Sequence, residues 1–151
     1  MLRRATYPIL FCLPVLLLAN TLFASQKHDL NGTWRVVPTR SQFGGEPVIQ
    51  TGTVTIADRE HNIYISRNYD FDGESGVVSY QTSTDGRENS SIHEGKAFKT
   101  KAKFEGGDLV VRSSQDNITT TERYHLNPDG TMSLTVDRPG HHTLVLLFER
   151  Q

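Results

Sequence analysis

The chain has 151 residues, and its 16 basic side chains against 17 acidic ones give a net charge of −1 with histidine neutral. This length is typical of one domain, and the charge balance has no basic excess that would indicate nucleic-acid binding. The single cysteine, Cys12, predicts that there is no internal disulfide.

The first 24 residues have the features of a cleaved signal peptide. Arg3 and Arg4 form a positively charged start, a continuous apolar run covers residues 9–18, and Ala24 is a small residue suited to the position before a cleavage site. The run is short and contains a proline, so retention as a membrane anchor is the less favoured alternative. The sequence therefore predicts a periplasmic or secreted protein that meets a membrane only through its leader, before cleavage.

The mature chain is then residues 25–151, which we interpret as a single domain. Cleavage removes Cys12, so packing and hydrogen bonds must hold the domain together without disulfides. Cleavage also removes Arg3 and Arg4, which leaves 14 basic against 17 acidic side chains and a net charge of −3.

Six clusters of turn-forming residues divide the mature chain into short segments. Several of them combine glycine, which tolerates positive φ, with Asn, Asp or Pro, which favour a bend. The clusters are DREHN (58–62), DFDGESG (70–76), STDGR (83–87), EGGD (105–108), NPDG (127–130) and RPGH (138–141). Turns at this spacing predict an all-β meander, barrel or sandwich.

Apolar and polar side chains alternate between these turns, as they do in half-buried antiparallel strands. In residues 96–104, Phe98, Ala102 and Phe104 fall on one face, and three lysines fall on the other. The same period relates Met132, Leu134 and Val136, and then Leu144, Leu146, Phe148 and Arg150. We count eight to ten strands, which is typical of an up-and-down barrel that removes its sheet edges by closing.

Two segments lack this period. Residues 38–47, PTRSQFGGEP, contain two prolines and two glycines and predict a loop or flap between the first two strands. Residues 86–95, GRENSSIHEG, are polar and fit either a weak edge strand or a compact surface loop.

The sequence GTW at 32–34 places the only tryptophan, Trp34, at the head of the first predicted strand. Gly32 and Trp34, together with Arg150 in the last strand, resemble the structural signature of the calycin superfamily, which includes the lipocalins. Residues 30–47 also resemble a segment of small exported bacterial proteins of that group. The resemblance implies a lipocalin-like barrel in which Trp34 closes one end and Arg150 packs across the indole, a favourable arrangement of a cation on an aromatic face.

Motifs for catalysis or metal binding are missing from the sequence. It contains no G-x-S-x-G elbow, P-loop or Rossmann fingerprint, and the mature chain has no cysteine nucleophile. His141 and His142 are adjacent, so on a strand they would point to opposite faces, and no pair of histidines has a zinc-ligand spacing. We therefore predict surface histidines, no metal site, no cofactor and no enzyme activity.

Two charged residues fall in phase with apolar ones. Arg67 shares its predicted face with Tyr69, and Glu122 shares its face with Tyr124. Buried charges need partners, so one interpretation is that Arg67 and Glu122 pair with each other or lie in water at the barrel mouth. The alternative is that these four residues bind a ligand, with the two charges as its polar contacts in an apolar cup.

Two functions fit these observations. The first is an exported binding protein that holds a small hydrophobic or amphipathic ligand inside the barrel. The second is a protein-interaction module, such as an inhibitor of a secreted hydrolase, whose protein partner contacts residues 38–47 or 86–95. An interior volume on the order of several hundred Å³ would favour the first, and an interior filled by side chains would favour the second. The expected cup is lined by Phe98, Phe104, Leu134, Leu146 and Phe148.

Overall fold

The computed structural model describes residues 29–93 and 95–151, and in this part of the chain ten β-strands follow one another. The predicted signal peptide, residues 1–24, lies outside the described residues. The strands are β1 (Gly32–Val36), β2 (Thr51–Arg59), β3 (Asn62–Phe71), β4 (Glu74–Ser83), β5 (Asp85–His93), β6 (Lys96–Glu105), β7 (Asp108–Gln115), β8 (Ile118–Leu126), β9 (Met132–Asp137) and β10 (Leu144–Arg150). The one helix among the described residues is a short 3-10 turn, Pro38–Arg40, and no helix there could cross a bilayer.

All ten strands belong to one antiparallel sheet. Each strand pairs with its neighbours in the chain, except that β4 and β5 share no ladder, and β1 pairs with β10. In the β1–β10 pair, Trp34 lies opposite Arg150 and Val36 lies opposite Phe148. Because the first and last strands join, the meander rolls into a nearly closed barrel. This confirms the predicted all-β, up-and-down barrel of eight to ten strands.

The hairpin turns lie where the six turn clusters predict them. At Asp72–Gly73 both residues have positive φ, 51° and 87°, which is the backbone of a type I′ turn, whose twist matches that of the strands it connects. A further such turn at Asp116–Asn117, with φ of 50° and 64°, contains no glycine and was not predicted. The polar segment 86–95 forms most of the edge strand β5, so the edge-strand interpretation of that segment is the one observed.

The inward faces of the strands pack into one apolar cluster around Trp34, which is fully buried. The cluster includes Val54, Ile56, Ile63, Ile65, Ala102, Leu109, Val111, Tyr124, Met132, Leu134, Leu146 and Phe148. Each large side chain that is fully buried contributes about 1.5–3 kcal/mol relative to its exposed state. The end of the barrel that contains Trp34 is therefore filled by the protein's own side chains.

Arg150 seals the filled end. Its guanidinium carbon lies 4.4 Å from the centre of the Trp34 ring. Nη1 donates a hydrogen bond to the Asn31 carbonyl (2.6 Å), and Nη2 donates one to the Asp29 carbonyl (2.8 Å). The indole Nε1 donates to the Leu30 carbonyl at 2.9 Å, so the buried ring leaves no unpaired polar atom.

Gly32 leaves room for this arrangement. Its φ is +127°, a conformation that side-chain-bearing residues rarely adopt, and a β-carbon there would lie 3.2 Å from Arg150 Nη1. The geometry of the sealed end thus depends on a glycine two residues before the tryptophan.

Side chains connect β4 to β5 and β6 where the backbone ladder is missing. Thr82 Oγ1 on β4 accepts hydrogen bonds from Asn89 Nδ2 (2.9 Å) and from Thr100 Oγ1 (3.1 Å). Further along, the rings of Tyr80 and Phe98 meet edge-on, with centroids 6.3 Å apart. These contacts hold the two sheet edges together near the β4–β5 turn.

We predict that Arg150→Ala lowers the free energy of unfolding by about 1–3 kcal/mol, because it removes two charge-assisted hydrogen bonds and the contact with the indole. Urea denaturation followed by Trp34 fluorescence measures this. Arg35→Ala is the control, since Arg35 lies on β1 and forms only an exposed, 3.8 Å ion pair with Glu149. Equal stability of the two variants would contradict the sealing role of Arg150.

Candidate functional site

Arg67 and Glu122 meet inside the barrel. Arg67 lies on β3 and Glu122 on β8, 55 residues apart in the chain, and the Nη2 atom of Arg67 donates a hydrogen bond to Oε2 of Glu122. Their side chains are 15% and 7% exposed. The arginine and the glutamate therefore form a largely buried ion pair across the lumen. Arg67 and Glu122 thus pair with each other, which is one of the arrangements expected from the sequence.

Two tyrosines complete a polar layer, which we define as Arg67, Tyr80, Glu122 and Tyr124. Arg67 Nη2 also donates to Tyr80 Oη at 2.8 Å. The hydroxyls of Tyr80 and Tyr124 in turn donate to Glu122 Oε2, at 3.2 and 3.1 Å. Three donors thus converge on one carboxylate oxygen, which satisfies the hydrogen-bonding demand of a buried charge.

Burial and the ion pair set the protonation states of this layer. Burial alone lowers the pKa of Arg67, but attraction to Glu122, added to the electrostatic effect of the neighbouring tyrosines, raises that pKa well above its usual value. Burial raises the pKa of the Tyr69 and Tyr124 hydroxyls, and burial together with the Glu122 charge raises the pKa of Tyr80. The three tyrosines are therefore neutral hydrogen-bond donors at physiological pH.

Tyr69 lies beside the polar layer, two residues after Arg67 on the same face of β3. Its ring packs against Gly52 of β2, where a β-carbon would lie only 2.6 Å from the ring atom Cδ1. Tyr69 Oη and Arg67 Nε are both buried, and neither forms a hydrogen bond with any residue in the described parts of the chain. Such atoms are uncommon in folded proteins and call for a physical explanation.

A cavity of about 540 Å³ begins at this level. Along β3, Ile63 and Ile65 of the packed core precede Arg67, whereas Tyr69 and Phe71, which line the cavity, follow it. The other apolar walls come from Phe43, Pro47, Ile49, Val136 and Leu144. The cavity therefore occupies the end of the barrel opposite Trp34, at the β3–β4 and β9–β10 turns.

A second space of about 340 Å³ continues from the first toward β6 and β7, and Phe98 lies in its wall. The two share Thr120, Arg138 and His141 as lining residues. The open space at this end of the barrel therefore extends from the first cavity to β6 and β7.

The loop between β1 and β2 covers the mouth of the cavity. Gln42 pairs with Val145 of β10 through two backbone hydrogen bonds of 2.7 and 2.8 Å. Glu46 Oε1 accepts a hydrogen bond from Arg138 Nη2 (3.3 Å) and lies 2.7 Å from His141 Nδ1. The predicted flap is therefore tied to the barrel and forms a wall of the cavity.

The histidines whose side chains are described do not gather into a metal site. His141 and His142 line the rim of the cavity and are exposed. Within residues 29–93 and 95–151, no group of three or more His, Cys, Asp or Glu side chains is placed to hold a metal ion.

The structure brings together three of the four predicted ligand-binding residues. Arg67 and Tyr124 both donate a hydrogen bond to Glu122, and Tyr69 lines the cavity. Sequence reasoning missed Tyr80, because β4 has only a weak apolar period.

The expected lining of the cup is wrong in part. Leu134, Leu146 and Phe148 are buried in the packed core, because they lie on the filled side of the polar layer. Phe104 packs against the same core, and Phe98 alone of the five lines an open space. The first cavity is lined instead by the β1–β2 loop and by residues near the β3–β4 and β9–β10 turns.

Solved structures of other proteins share this architecture. The chain is similar to secretory abundant heat soluble protein 4 from Ramazzottius varieornatus, with a TM-score of 0.61 and 15% identity over 80% of this chain and 94% of that one. The fold is that of a lipocalin-like β-barrel. The REP1-NXSQ fatty acid transporter has a TM-score of 0.59 at 16% identity, over 82% of this chain and 96% of that one.

A third structure, a fatty-acid-binding protein of Schistosoma mansoni in complex with arachidonic acid, has a TM-score of 0.59 at 15% identity, covering 83% of this chain and 98% of that one. No protein-family model matches the chain, and no curated protein matches it in sequence. At these identities the likeness establishes the fold alone.

We predict that Glu122→Leu lowers the free energy of unfolding by about 3–5 kcal/mol, because it leaves the Arg67 charge buried without its partner. The double variant Arg67→Met with Glu122→Leu is expected to be more stable than Glu122→Leu by about 1–4 kcal/mol, since no uncompensated charge remains. Urea denaturation of the unaltered protein, of each single variant and of the double variant measures the coupling between the two charges. Additive losses would show that the two charges do not depend on each other.

Proposed function

We propose that this chain is an exported, non-catalytic binding protein that holds a small hydrophobic or amphipathic ligand in the open end of its barrel. The observation that carries the proposal is the cavity of about 540 Å³, which has mostly apolar walls and includes Tyr69, the residue beside the polar layer. Ligand sites in proteins commonly have this volume and this combination of apolar lining with a few oriented polar groups.

The geometry favours an elongated amphipathic molecule. Aromatic rings of Phe43, Tyr69 and Phe71 supply large apolar contact areas, and Val136 and Leu144 extend the wall toward the mouth. Transfer of an alkyl chain from water to such walls is favourable by about 0.8 kcal/mol per buried CH₂ group. Arg67, Tyr69, Glu122 and Tyr124 are proposed as the residues at the polar end, and Tyr80 joins them.

The similar structures give further support. Fatty acids occur in the names of the REP1-NXSQ transporter and of the Schistosoma mansoni protein, and both are barrels of the same fold. We infer from them the general class of ligand, a small hydrophobic molecule bound within the barrel, and not a particular compound.

The alternative, an interaction module such as a hydrolase inhibitor, would use the loop at 38–47 as a contact surface. In this loop Phe43 packs against the core, Ser41 donates to the Val37 carbonyl and Glu46 binds Arg138. Side chains that turn inward and are held in this way favour a cavity wall over a surface that contacts a protein partner.

Export is part of the proposal and is supported by the leader-like residues 1–24. We predict that the protein recovered from the periplasm or the culture medium begins at Ser25, because Ala24 suits the position before a signal-peptidase cut. N-terminal sequencing or intact mass measurement checks this. An intact Met1 on the cell membrane would instead indicate an uncleaved anchor.

We predict that Gly76→Phe blocks ligand binding without unfolding the barrel. Gly76 lines the cavity, and a β-carbon there would meet no heavy atom within 4 Å, so the new ring projects into open space. Titration with the neutral fluorophore Nile red should show at least about a tenfold loss of affinity, the effect of losing about 1.4 kcal/mol or more of contact with the filled cavity.

Val77→Phe is the matched control, because Val77 is the next residue of β4, is 65% exposed and does not line the cavity. Its affinity for Nile red should equal that of the unaltered protein. Equal binding by both variants would place the fluorophore elsewhere and remove the support for the cavity as the binding site. If the cavity is not a binding site, native mass spectrometry of the protein purified from its own compartment should also show no bound small molecule.

A further inference from the structure

One residue of the cavity lining has a hydrogen-bond donor that lacks an acceptor. Tyr69 lines the cavity, and its hydroxyl is buried without a partner among the described residues. Arg67 Nε, from the same face of β3, is also buried without such a partner, but it lies in the polar layer and not in the cavity lining. Because buried donors are nearly always paired in folded proteins, the Tyr69 hydroxyl favours a ligand group that accepts hydrogen bonds.

The polar layer beside the cavity carries no free positive charge. The guanidinium of Arg67 is already bound to the Glu122 carboxylate, and that carboxylate also accepts from two tyrosine hydroxyls. The buried pair is neutral as a whole. A second carboxylate brought to Arg67 Nε would share one guanidinium with Glu122, and two like charges repel strongly where little water screens them.

Other charges along the cavity do not change this balance. Glu46 and Glu74 are among its lining residues. Arg138, the one arginine lining the cavity in the described part of the chain, donates to Glu46 at 3.3 Å. An anionic head therefore finds no unneutralised arginine at the mouth either.

We propose that this cavity selects ligands with an uncharged polar head, an alcohol, aldehyde or ester, whose oxygen accepts a hydrogen bond from Tyr69 Oη. It discriminates against free carboxylic acids, which are ionised at neutral pH. This inference rests on the proposed function and adds to it the chemical class of the ligand head.

Three probes with the same alkyl chain test the selectivity: dodecanol, methyl dodecanoate and dodecanoic acid. Each is titrated against the purified protein carrying Nile red, at neutral pH and low salt, and the affinity is obtained from displacement. The alcohol and the ester are expected to bind at least about tenfold more tightly than the acid. This comparison uses the unaltered protein and so does not depend on any variant folding.

Tyr69→Phe tests the donor. The hydroxyl makes no hydrogen bond in the free protein, so its removal should leave the melting temperature unchanged or slightly raised. Affinity for dodecanol should nevertheless fall about fivefold or more, and affinity for Nile red should stay the same. A loss of alcohol binding without a loss of stability separates a ligand contact from a purely structural role.

Glu122→Gln tests the charge. The amide keeps the size of the side chain but leaves the Arg67 charge uncompensated, so affinity for dodecanoic acid should rise at least about tenfold, and the preference for the alcohol should shrink or reverse. Glu149→Gln is the control, because it makes the same change of net charge on the exposed outer face of β10. Its affinities for all three probes should match those of the unaltered protein.

The outcomes separate the two proposals. If Nile red binds but dodecanoic acid competes as well as dodecanol, or if Tyr69→Phe binds dodecanol normally, the neutral-head selectivity is wrong and the binding function stands. If neither Nile red nor any probe binds, the proposed function fails, and the selectivity fails with it.

Discussion

The buried ion pair between Arg67 and Glu122 decides how the interior of this barrel is divided. It connects β3 to β8 across the lumen, and its members are 15% and 7% exposed. Taking two charges out of water costs on the order of several kcal/mol per ion. Only good geometry and additional hydrogen bonds can offset this cost. Tyr80 and Tyr124 supply those bonds, while the Tyr124 ring belongs to the apolar core and the Tyr80 ring packs against it. Along β3 the packed core lies on one side of this layer, at Ile63 and Ile65, and the cavity lies on the other, at Tyr69.

The two ends of the barrel are closed by different parts of the chain. At the filled end, the indole of Trp34 donates to a carbonyl and Arg150 donates to two more, so both the buried ring and the guanidinium over it are hydrogen-bonded. At the other end, a loop rather than a strand covers the lumen, and it is held by a backbone bridge at Gln42 and by the contact of Glu46 with Arg138. The strand residues at this level, among them Tyr69, Val136 and Leu144, form walls around the open space and do not fill it.

The sequence was sufficient to predict the strands, because a period of two and turn-forming clusters are local signals. It was also sufficient to single out Arg67 and Glu122, since a charge in phase with apolar residues interrupts an otherwise regular face. Tyr80 was missed because β4 is polar or exposed along most of its length, and its role depends on which strand lies across the lumen. The cavity wall at 43–49 was missed because a loop without periodicity has no predictable face. Leu134, Leu146 and Phe148 were placed on the correct face, but no local pattern indicates the height in the barrel at which packing stops.

Stability alone does not explain why this layer is polar. Replacing a buried ion pair by apolar side chains of similar volume is often neutral or stabilising by about 1–4 kcal/mol, so the pair is not the most stable filling of the lumen. The unpaired hydroxyl of Tyr69 adds a further cost of about 1–3 kcal/mol, that of a buried polar group without a partner. Both departures lie at one level, next to a large cavity with an aromatic wall. Local rules of folding are broken mainly at functional sites, so this coincidence supports the proposal that the cavity beside the polar layer is a binding site.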